Sequence, residues 1–202
     1  MIFLDSVEIL SSNRLKKCPF TISDMRDLTV FFGMNGTGKT TILEAMRNRS
    51  SSHSEESSNV TKVNFHFTDN LKNGKTLFYS MFQKELFDIK HDFNMYVSAE
   101  IGAWDINNSF KSAGERSRNQ LDVVKNIENA VFYIDEMDSS LDWKGDIKYY
   151  KMLKKMSKTN QIFVASHSVI LCAMVGIVYD VGARCWSTFD ELKARYKLPR
   201  LN

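Results

Sequence analysis

Gly33-Met34-Asn35-Gly36-Thr37-Gly38-Lys39-Thr40 is the stretch that decides the fold of this 202-residue chain. It matches the phosphate-binding pattern G-x-x-x-x-G-K-[ST] without a mismatch. The apolar run at 28–32 predicts a buried strand before it, and residues 40–46 predict the start of a helix after it. A glycine-rich turn that leads into a helix N-terminus directs backbone N–H groups at phosphate oxygens. The sequence therefore predicts a nucleotide-binding α/β domain.

Some residues of this turn are predicted to bind phosphate and others to bind a metal ion. We expect Lys39 to reach the β- and γ-phosphates and the Thr40 hydroxyl to ligate Mg²⁺. A glycine-rich turn that binds no nucleotide is the alternative. The predicted nucleotide ligands are Asn35, Gly36, Thr37, Gly38, Lys39, Thr40 and Thr41.

The composition is that of an ordinary globular protein, with 43% hydrophobic and 25% charged residues. No apolar run approaches the ~20 residues that span a bilayer, and the N-terminus lacks a signal-peptide pattern. The three cysteines are widely spaced, which predicts reduced thiols and neither a disulfide framework nor a zinc site. We therefore expect a cytoplasmic protein without membrane insertion. The net charge of +3 permits an anionic partner but does not require one.

The order of predicted elements favours a mostly parallel sheet flanked by helices, with antiparallel strands in the first half. Short strands are predicted at 2–4, 7–9 and 20–22. Residues 60–67 and 76–82 also read as strands, and Asn73-Gly74 between them predicts a hairpin turn. The second half is predicted to contain helix 115–128, strand 130–134, helix 143–157, strand 161–165 and a final αβ element.

Two adjacent acids, Asp135 and Glu136, follow the apolar run at 130–134. A carboxylate at the carboxyl end of a central strand faces the crevice where α/β sheets bind ligands. Asp135 is predicted to hold Mg²⁺ through its hydration shell, and Glu136 to act as general base on an attacking water. The alternative is that the two acids cap the N-terminus of a helix.

Three further segments carry groups suited to phosphate. Ser112-Ala113-Gly114-Glu115 precedes a predicted helix, which is typical of an anion site but equally of a simple helix start. Ser139-Ser140-Leu141-Asp142 follows the two acids directly. His167 comes at the tip of the strand at 161–165, where an imidazole can donate a hydrogen bond to a γ-phosphate.

Taken together, these segments resemble the ATP-binding cassette (ABC) ATPase superfamily. The order matches its motifs: Walker A at 33–40, signature at 112–115, Walker B at 131–136, D-loop at 139–142 and switch histidine at 167. The entry into the glycine loop and the Ser-x-Gly-Glu signature are more similar to SMC, RecF and SbcC-type heads than to transporter subunits. The resemblance spans nearly the whole chain.

The resemblance implies a dimer with ATP bound between two heads. Ser112, Gly114 and Glu115 of one copy would then act on nucleotide held by the other, and Asp142 would couple the two sites. Glu136 would be the general base, with Lys39 and His167 as the other catalytic groups. Gln83 is assigned as a third metal-site residue. The implied unit is one ATPase domain, 1–202, with a β-rich part at 1–82, a reduced helical lobe at about 84–114 and a final part at 115–202.

The implied activity is ATP hydrolysis to ADP and phosphate, with Mg²⁺. It would drive a transaction on DNA or RNA, such as repair or defence, or act on an effector protein. Two alternatives remain open: the nucleotide-binding subunit of a transporter, and a scaffold on which slow hydrolysis acts as a timer. A small P-loop kinase would fit the length but would not need the signature, D-loop and His167 together.

A lysine stripe occupies the predicted helix at 143–157. At about 100° per residue, its members fall on one side of the helix and apolar residues on the other. A solvated surface opposite an apolar one is the simpler interpretation. The functional interpretation is a surface for nucleic acid or an acidic partner. The stripe consists of Lys144, Lys148, Lys151, Lys155 and Lys158.

Overall fold

The computed structural model describes residues 2–15, 17–50, 62–68, 77–82, 126–136, 138 and 141–198. These residues form nine strands and four helices. In chain order they are β1 (Leu4–Ser11), β2 (Phe20–Ile22), β3 (Leu28–Phe32), α1 (Lys39–Ser50), β4 (Lys62–Phe67), β5 (Leu77–Phe82), β6 (Ala130–Asp135), α2 (Trp143–Met156), β7 (Gln161–Ser166), α3 (Val169–Val175), β8 (Ile177–Asp180), β9 (Cys185–Thr188) and α4 (Phe189–Tyr196).

A six-stranded sheet forms the centre of the fold, in the order β5-β6-β7-β3-β8-β9. Every neighbouring pair is parallel except β8 and β9. All residues of β3, β6 and β7 are buried, because a parallel sheet of this kind is covered on both faces. The predicted α/β class with a mostly parallel sheet is confirmed.

A second, antiparallel sheet has the order β2-β1-β4. It corrects the predicted hairpin at Asn73-Gly74. The two strands exist, but β4 pairs with β1, with Phe65 opposite Val7. Strand β5 instead lies parallel to β6 at the edge of the other sheet. An Asn-Gly pair is a local turn signal, and it carries no information about which distant strand completes the pairing. The first two predicted strands also form one continuous strand, β1.

The parallel sheet separates two hydrophobic cores, because successive side chains of a strand point to opposite faces. Phe31 and Phe163 face α1 and the antiparallel sheet, and their rings stack with centroids 6.3 Å apart. Phe32 and Val164 face the other side, where they pack with residues of α2, α3 and α4. The outcome is a layered α/β domain with the carboxyl ends of β3, β6 and β7 at one edge.

Gln161, at the start of β7, joins the two sheets and is fully buried. Its side-chain oxygen accepts hydrogen bonds from the backbone N–H groups of Phe3 (3.0 Å) and Leu4 (2.7 Å). Its side-chain nitrogen donates to the Leu4 carbonyl at 2.7 Å. The amide thus satisfies backbone groups at the start of the antiparallel sheet that burial would otherwise leave unpaired.

The structure also bears on the predicted cysteine state, the expected lack of a membrane span and the helix predicted at 115–128. Cys18, Cys172 and Cys185 are free thiols, as expected. Among the described helices, none combines the length and apolarity needed to cross a membrane. Residues 126–128 form a turn and coil rather than the end of a helix. The rest of the helix predicted at 115–128 and the lobe at about 84–114 lie outside the described residues.

Candidate functional site

The glycine-rich turn runs from β3 into α1 and is shaped by its own short contacts. The Thr37 hydroxyl donates to the Met34 carbonyl at 2.9 Å, and this closes the turn. Gly38 has a φ of +100°, a conformation that favours glycine. A Cβ at Gly38 would also lie 2.1 Å from Cδ2 of Leu15. The backbone conformation therefore favours glycine at position 38, and any side chain there would also have to displace the Leu15 side chain.

Lys39 lies under this turn with only 4% of its surface exposed. Its Nζ donates to the Gly33 carbonyl at 3.1 Å, and it lies 3.0 Å from Nε2 of His167 and 3.7 Å from Oε1 of Glu136. Burial lowers the pKa of Lys39, while the nearby carboxylate of Glu136 opposes that shift. The amine is thus placed where an anion could replace its present contacts.

Thr40 and Asp135 meet across the gap between α1 and β6. The Thr40 hydroxyl donates to Oδ1 of Asp135 at 3.0 Å. Asp135 ends β6 and is 6% exposed, and burial raises its pKa to about 6. A hydroxyl and a carboxylate oxygen side by side are hard ligands of the kind Mg²⁺ prefers. No group of three or more ligating side chains occurs among the described residues, so these two suit a cation that also takes phosphate and water oxygens.

Glu136 and His167 face each other beside Lys39. Nε2 of His167 lies 2.6 Å from Oε1 of Glu136. Glu136 has a φ of +51°, in the left-handed region. Its backbone N–H donates to the carbonyl of Ala165, next to the end of β7, at 3.0 Å. A left-handed residue directly after a buried strand turns the Glu136 side chain toward the glycine-rich turn, and the Ala165 contact holds it beside β7.

Four residues fix the position of His167 through its two neighbours in the chain. We name them the carboxylate clamp: Asp138, Ser166, Ser168 and Asp146. The Ser166 hydroxyl donates to Oδ2 of Asp138 and accepts from the backbone N–H of Ser168 at 2.9 Å. The Ser168 hydroxyl donates to Oδ2 of Asp146 at 2.6 Å. Both residues that flank His167 are therefore fixed to acids that follow β6.

The sequence interpretation missed both acids of the carboxylate clamp. Burial raises the pKa of Asp138 to about 6 and raises that of Asp146 above its ordinary value. The other oxygen of Asp146, Oδ1, is buried without a hydrogen-bond partner. The sequence pattern that could have identified them is two acids shortly after a predicted strand tip. Each of these acids can accept a hydrogen bond from a serine beside His167.

The glycine-rich turn, Lys39, Thr40 and Glu136 line a cleft of about 230 Å³. Arg14 lines it, although sequence reasoning did not select this residue. Its guanidinium forms an ion pair with Glu44 of α1 at 3.5 Å. The next residue, Leu15, packs against Gly38 and so holds Arg14 over the glycine-rich turn. The lining residues are Arg14, Asn35, Gly36, Gly38, Lys39, Thr40, Thr41 and Glu136.

Of the remaining predicted site residues the structure describes Asp142, which is not part of the cleft lining. Asp142 caps the N-terminus of α2 and accepts from the Gly145 N–H at 2.7 Å. The helix cap is therefore Asp142, and not the Asp135-Glu136 pair considered as an alternative. Gln83, Ser112, Gly114 and Glu115 lie outside the described residues.

Several solved structures share this fold. A bacterial Atm1-family ABC exporter with ATP bound aligns with a TM-score of 0.56 and 16% identity, over 96% of this chain and 41% of its own. The SMC head domain from Thermotoga maritima aligns with a TM-score of 0.52 and 16% identity, over 93% of this chain and 99% of its own. CbiO1 of Clostridium perfringens, part of the ABC transporter complex cbiONQ, aligns with a TM-score of 0.50 and 17% identity, over 98% of this chain and 93% of its own.

At these identities the likeness shows the fold alone, and the chain spans less than half the length of the exporter. No protein-family profile matches the sequence, and no curated protein is significantly similar to it. The three structures include both SMC and transporter proteins, so the fold does not choose between those two roles.

Proposed function

Because the chain has the fold of the ABC-type ATPases, we propose that it binds ATP with Mg²⁺ and hydrolyses it to ADP and phosphate. One observation carries the proposal. Lys39, Thr40 and Glu136 line one cleft at the ends of three adjacent parallel strands. Asp135 contacts Thr40, and His167 contacts both Lys39 and Glu136. Phosphoryl transfer to water needs a cation, a hydroxyl next to a carboxylate, and an acid paired with an imidazole.

Each group has a separate role in this proposal. The backbone from Asn35 to Gly38 and the amine of Lys39 bind the phosphates, and Lys39 exchanges its contact with Glu136 for phosphate oxygens. Thr40 and Asp135 would hold Mg²⁺, which neutralises phosphate charge when bound. Glu136 accepts a proton from the attacking water. His167 keeps that carboxylate oriented and donates to the γ-phosphate.

A second copy of the chain would complete the site. The outer rim of the glycine-rich turn is exposed, and Met34 has 57% of its surface open to solvent. An open half-site leaves the γ-phosphate in water, where hydrogen-bond donors stabilise developing charge poorly. We propose that Ser112, Gly114 and Glu115 of a partner copy cover it, and that Asp142 lies near the contact between copies. The chain 1–202 would act as one ATPase domain.

We further propose that the dimer works in the cytoplasm on a nucleic acid, as in repair or defence, or on an effector protein. Steady-state turnover with and without DNA tests this choice. Turnover that DNA accelerates supports a nucleic-acid transaction, whereas slow, DNA-independent turnover supports an effector scaffold. Recovery of the protein with a membrane partner would favour a transporter subunit instead.

The substitution Glu136→Gln tests the proposed chemistry. The amide keeps the size of the side chain but cannot accept the proton, so we expect turnover to fall by about 100-fold or more while ATP still binds. Because ATP then persists, the variant should become a dimer on ATP addition, measured by light scattering after size exclusion.

Glu128→Gln, an exposed glutamate outside the cleft, is the matched control and should behave as the wild type. Full turnover in the Glu136→Gln variant would refute the assignment of the base. A variant that binds ATP but remains a monomer would refute the two-copy site.

A further inference from the structure

Helix α2 presents a row of lysines that the proposed ATPase site does not use. Its other side is buried, with Tyr149, Leu153 and Met156 packed into the core below. The row therefore has a fixed direction, away from the sheet. It consists of Lys144, Lys148, Lys151, Lys154 and Lys155, with Lys158 in the turn that follows, and all six are exposed.

No carboxylate balances this charge within the described chain. None of the six lysines forms an ion pair with a described residue. The acids nearest in sequence are occupied, since Asp146 is buried beside Ser168 and Asp142 caps the helix. The whole chain carries a net charge of only +3, so six positive charges on one helix face are a strong local concentration.

The spacing of the row suits a phosphate backbone. Lys144 and Lys155 are eleven residues apart, which is about 17 Å along a helix axis. One strand advances about 3.4 Å per phosphate in a duplex and further in an extended single strand, so at most about five phosphates fit along this length. Exposed ammonium groups at this spacing bind such a strand by releasing its counterions.

An exposed aromatic ring lies at one end of the row. Trp143 is the first residue of α2, and 58% of its surface is exposed. Nζ of Lys144 lies 5.3 Å from the centre of the indole ring, so a ring and a cation share one small area. Surfaces that bind single strands combine such cations with aromatic rings on which unpaired bases stack.

We propose that this face of α2, from Trp143 to Lys158, binds single-stranded nucleic acid, with the phosphates along the lysines and a base against Trp143. This proposal rests on the proposed function in one respect, since the nucleic acid would be the partner on which ATP hydrolysis acts. Binding to this face requires no nucleotide, and ATP binding is measured separately on the same samples with a fluorescent ATP analogue.

The test is fluorescence anisotropy of a labelled 20-nucleotide oligo-dT and of a duplex of equal length, between 50 and 200 mM salt. If four phosphates are contacted, the slope of log affinity against log salt should be about −3 for the single strand. Lys148→Glu with Lys151→Glu should halve that slope and weaken binding at least about 30-fold at 50 mM salt.

Lys193→Glu in α4 with Lys197→Glu directly after it changes the net charge equally. It should leave oligo-dT binding within about twofold of wild type if the α2 face is the specific surface. Trp143→Ala should weaken oligo-dT binding at least about fivefold and leave the duplex unaffected.

Three results would overturn the proposal. Equal effects of both lysine pairs would mean that only net charge matters. Equal binding of duplex and oligo-dT, with no effect of Trp143→Ala, would exclude a single-strand site. Binding of poly-glutamate at the same strength and salt slope would point to an acidic protein instead.

Loss of ATP binding with oligo-dT binding retained would refute the proposed ATPase function but not the proposed nucleic-acid surface.

Discussion

Replacing Ser168 by alanine tests how His167 is held. The Ser168 hydroxyl caps α3 by accepting from the Leu171 N–H at 3.0 Å, and it donates to Asp146 at 2.6 Å. Alanine removes both contacts. We expect Ser168→Ala to lower the free energy of unfolding by more than the loss of a helix cap alone. We also expect a lower turnover number, because the residue after His167 no longer hydrogen-bonds to Asp146.

The magnitude follows from the two contacts. Loss of an N-cap costs about 1 kcal/mol. Asp146 is 7% exposed and its Oδ1 already has no partner, so losing the bond to Oδ2 leaves the whole carboxylate without one, at about 2 kcal/mol more. The sum is about 3 kcal/mol, or a fall in Tm of about 6–12 °C for a chain of this size.

The assay is thermal and urea unfolding of four proteins at pH 7.5. Thr188→Ala is the matched control, because Thr188 caps α4 in the same way but is exposed, and it should cost only about 1 kcal/mol. Adding Asp146→Asn to Ser168→Ala should recover part of the loss, since a neutral amide is less costly to bury. Equal losses for Ser168→Ala and Thr188→Ala, or no recovery in the double variant, would refute this account.

Two further predictions concern Asp138 and Arg14. Burial raises the pKa of Asp138 from 3.8 to about 6, so wild-type stability is lost as pH rises through that range. Asp138→Asn cannot titrate and should gain about 2.5 kcal/mol relative to wild type between pH 4 and 7.5. A gap in urea unfolding free energy that stays constant with pH would contradict this. Arg14→Ala should weaken ATP binding about fivefold by removing one exposed cation from the cleft. Arg26→Ala, an exposed arginine that does not line the cleft, should not change ATP affinity in the same calorimetric titration.

The parts predictable from sequence were those with a strong local pattern. The glycine-rich turn, the buried runs of β3, β6 and β7, and helix α2 all have such patterns, and the structure places them as predicted. The same patterns predicted that Asp135, Glu136 and His167 stand at the carboxyl ends of two strands, where α/β sheets bind ligands.

The parts that were missed depend on distant contacts. Strand pairing is one example, since the alternation in β4 indicates that one face is buried but not that β4 pairs with β1. Arg14 is another, because its place over the glycine-rich turn comes from Leu15 packing against Gly38. The carboxylate clamp is a third, since the exposure of an aspartate cannot be read from its sequence neighbours.

The buried amide of Gln161 has a consequence for how the two sides of the cleft are related. It fixes the first residues of β1 to one end of β7, and the other end of β7 leads directly to His167. Strand β1 leads in turn to Arg14, which lines the cleft. A strand of six residues is about 20 Å long and resists bending within a sheet. The positions of both residues therefore depend on one rigid strand, so the Gln161 contact acts on the width of the cleft from the opposite end of β7.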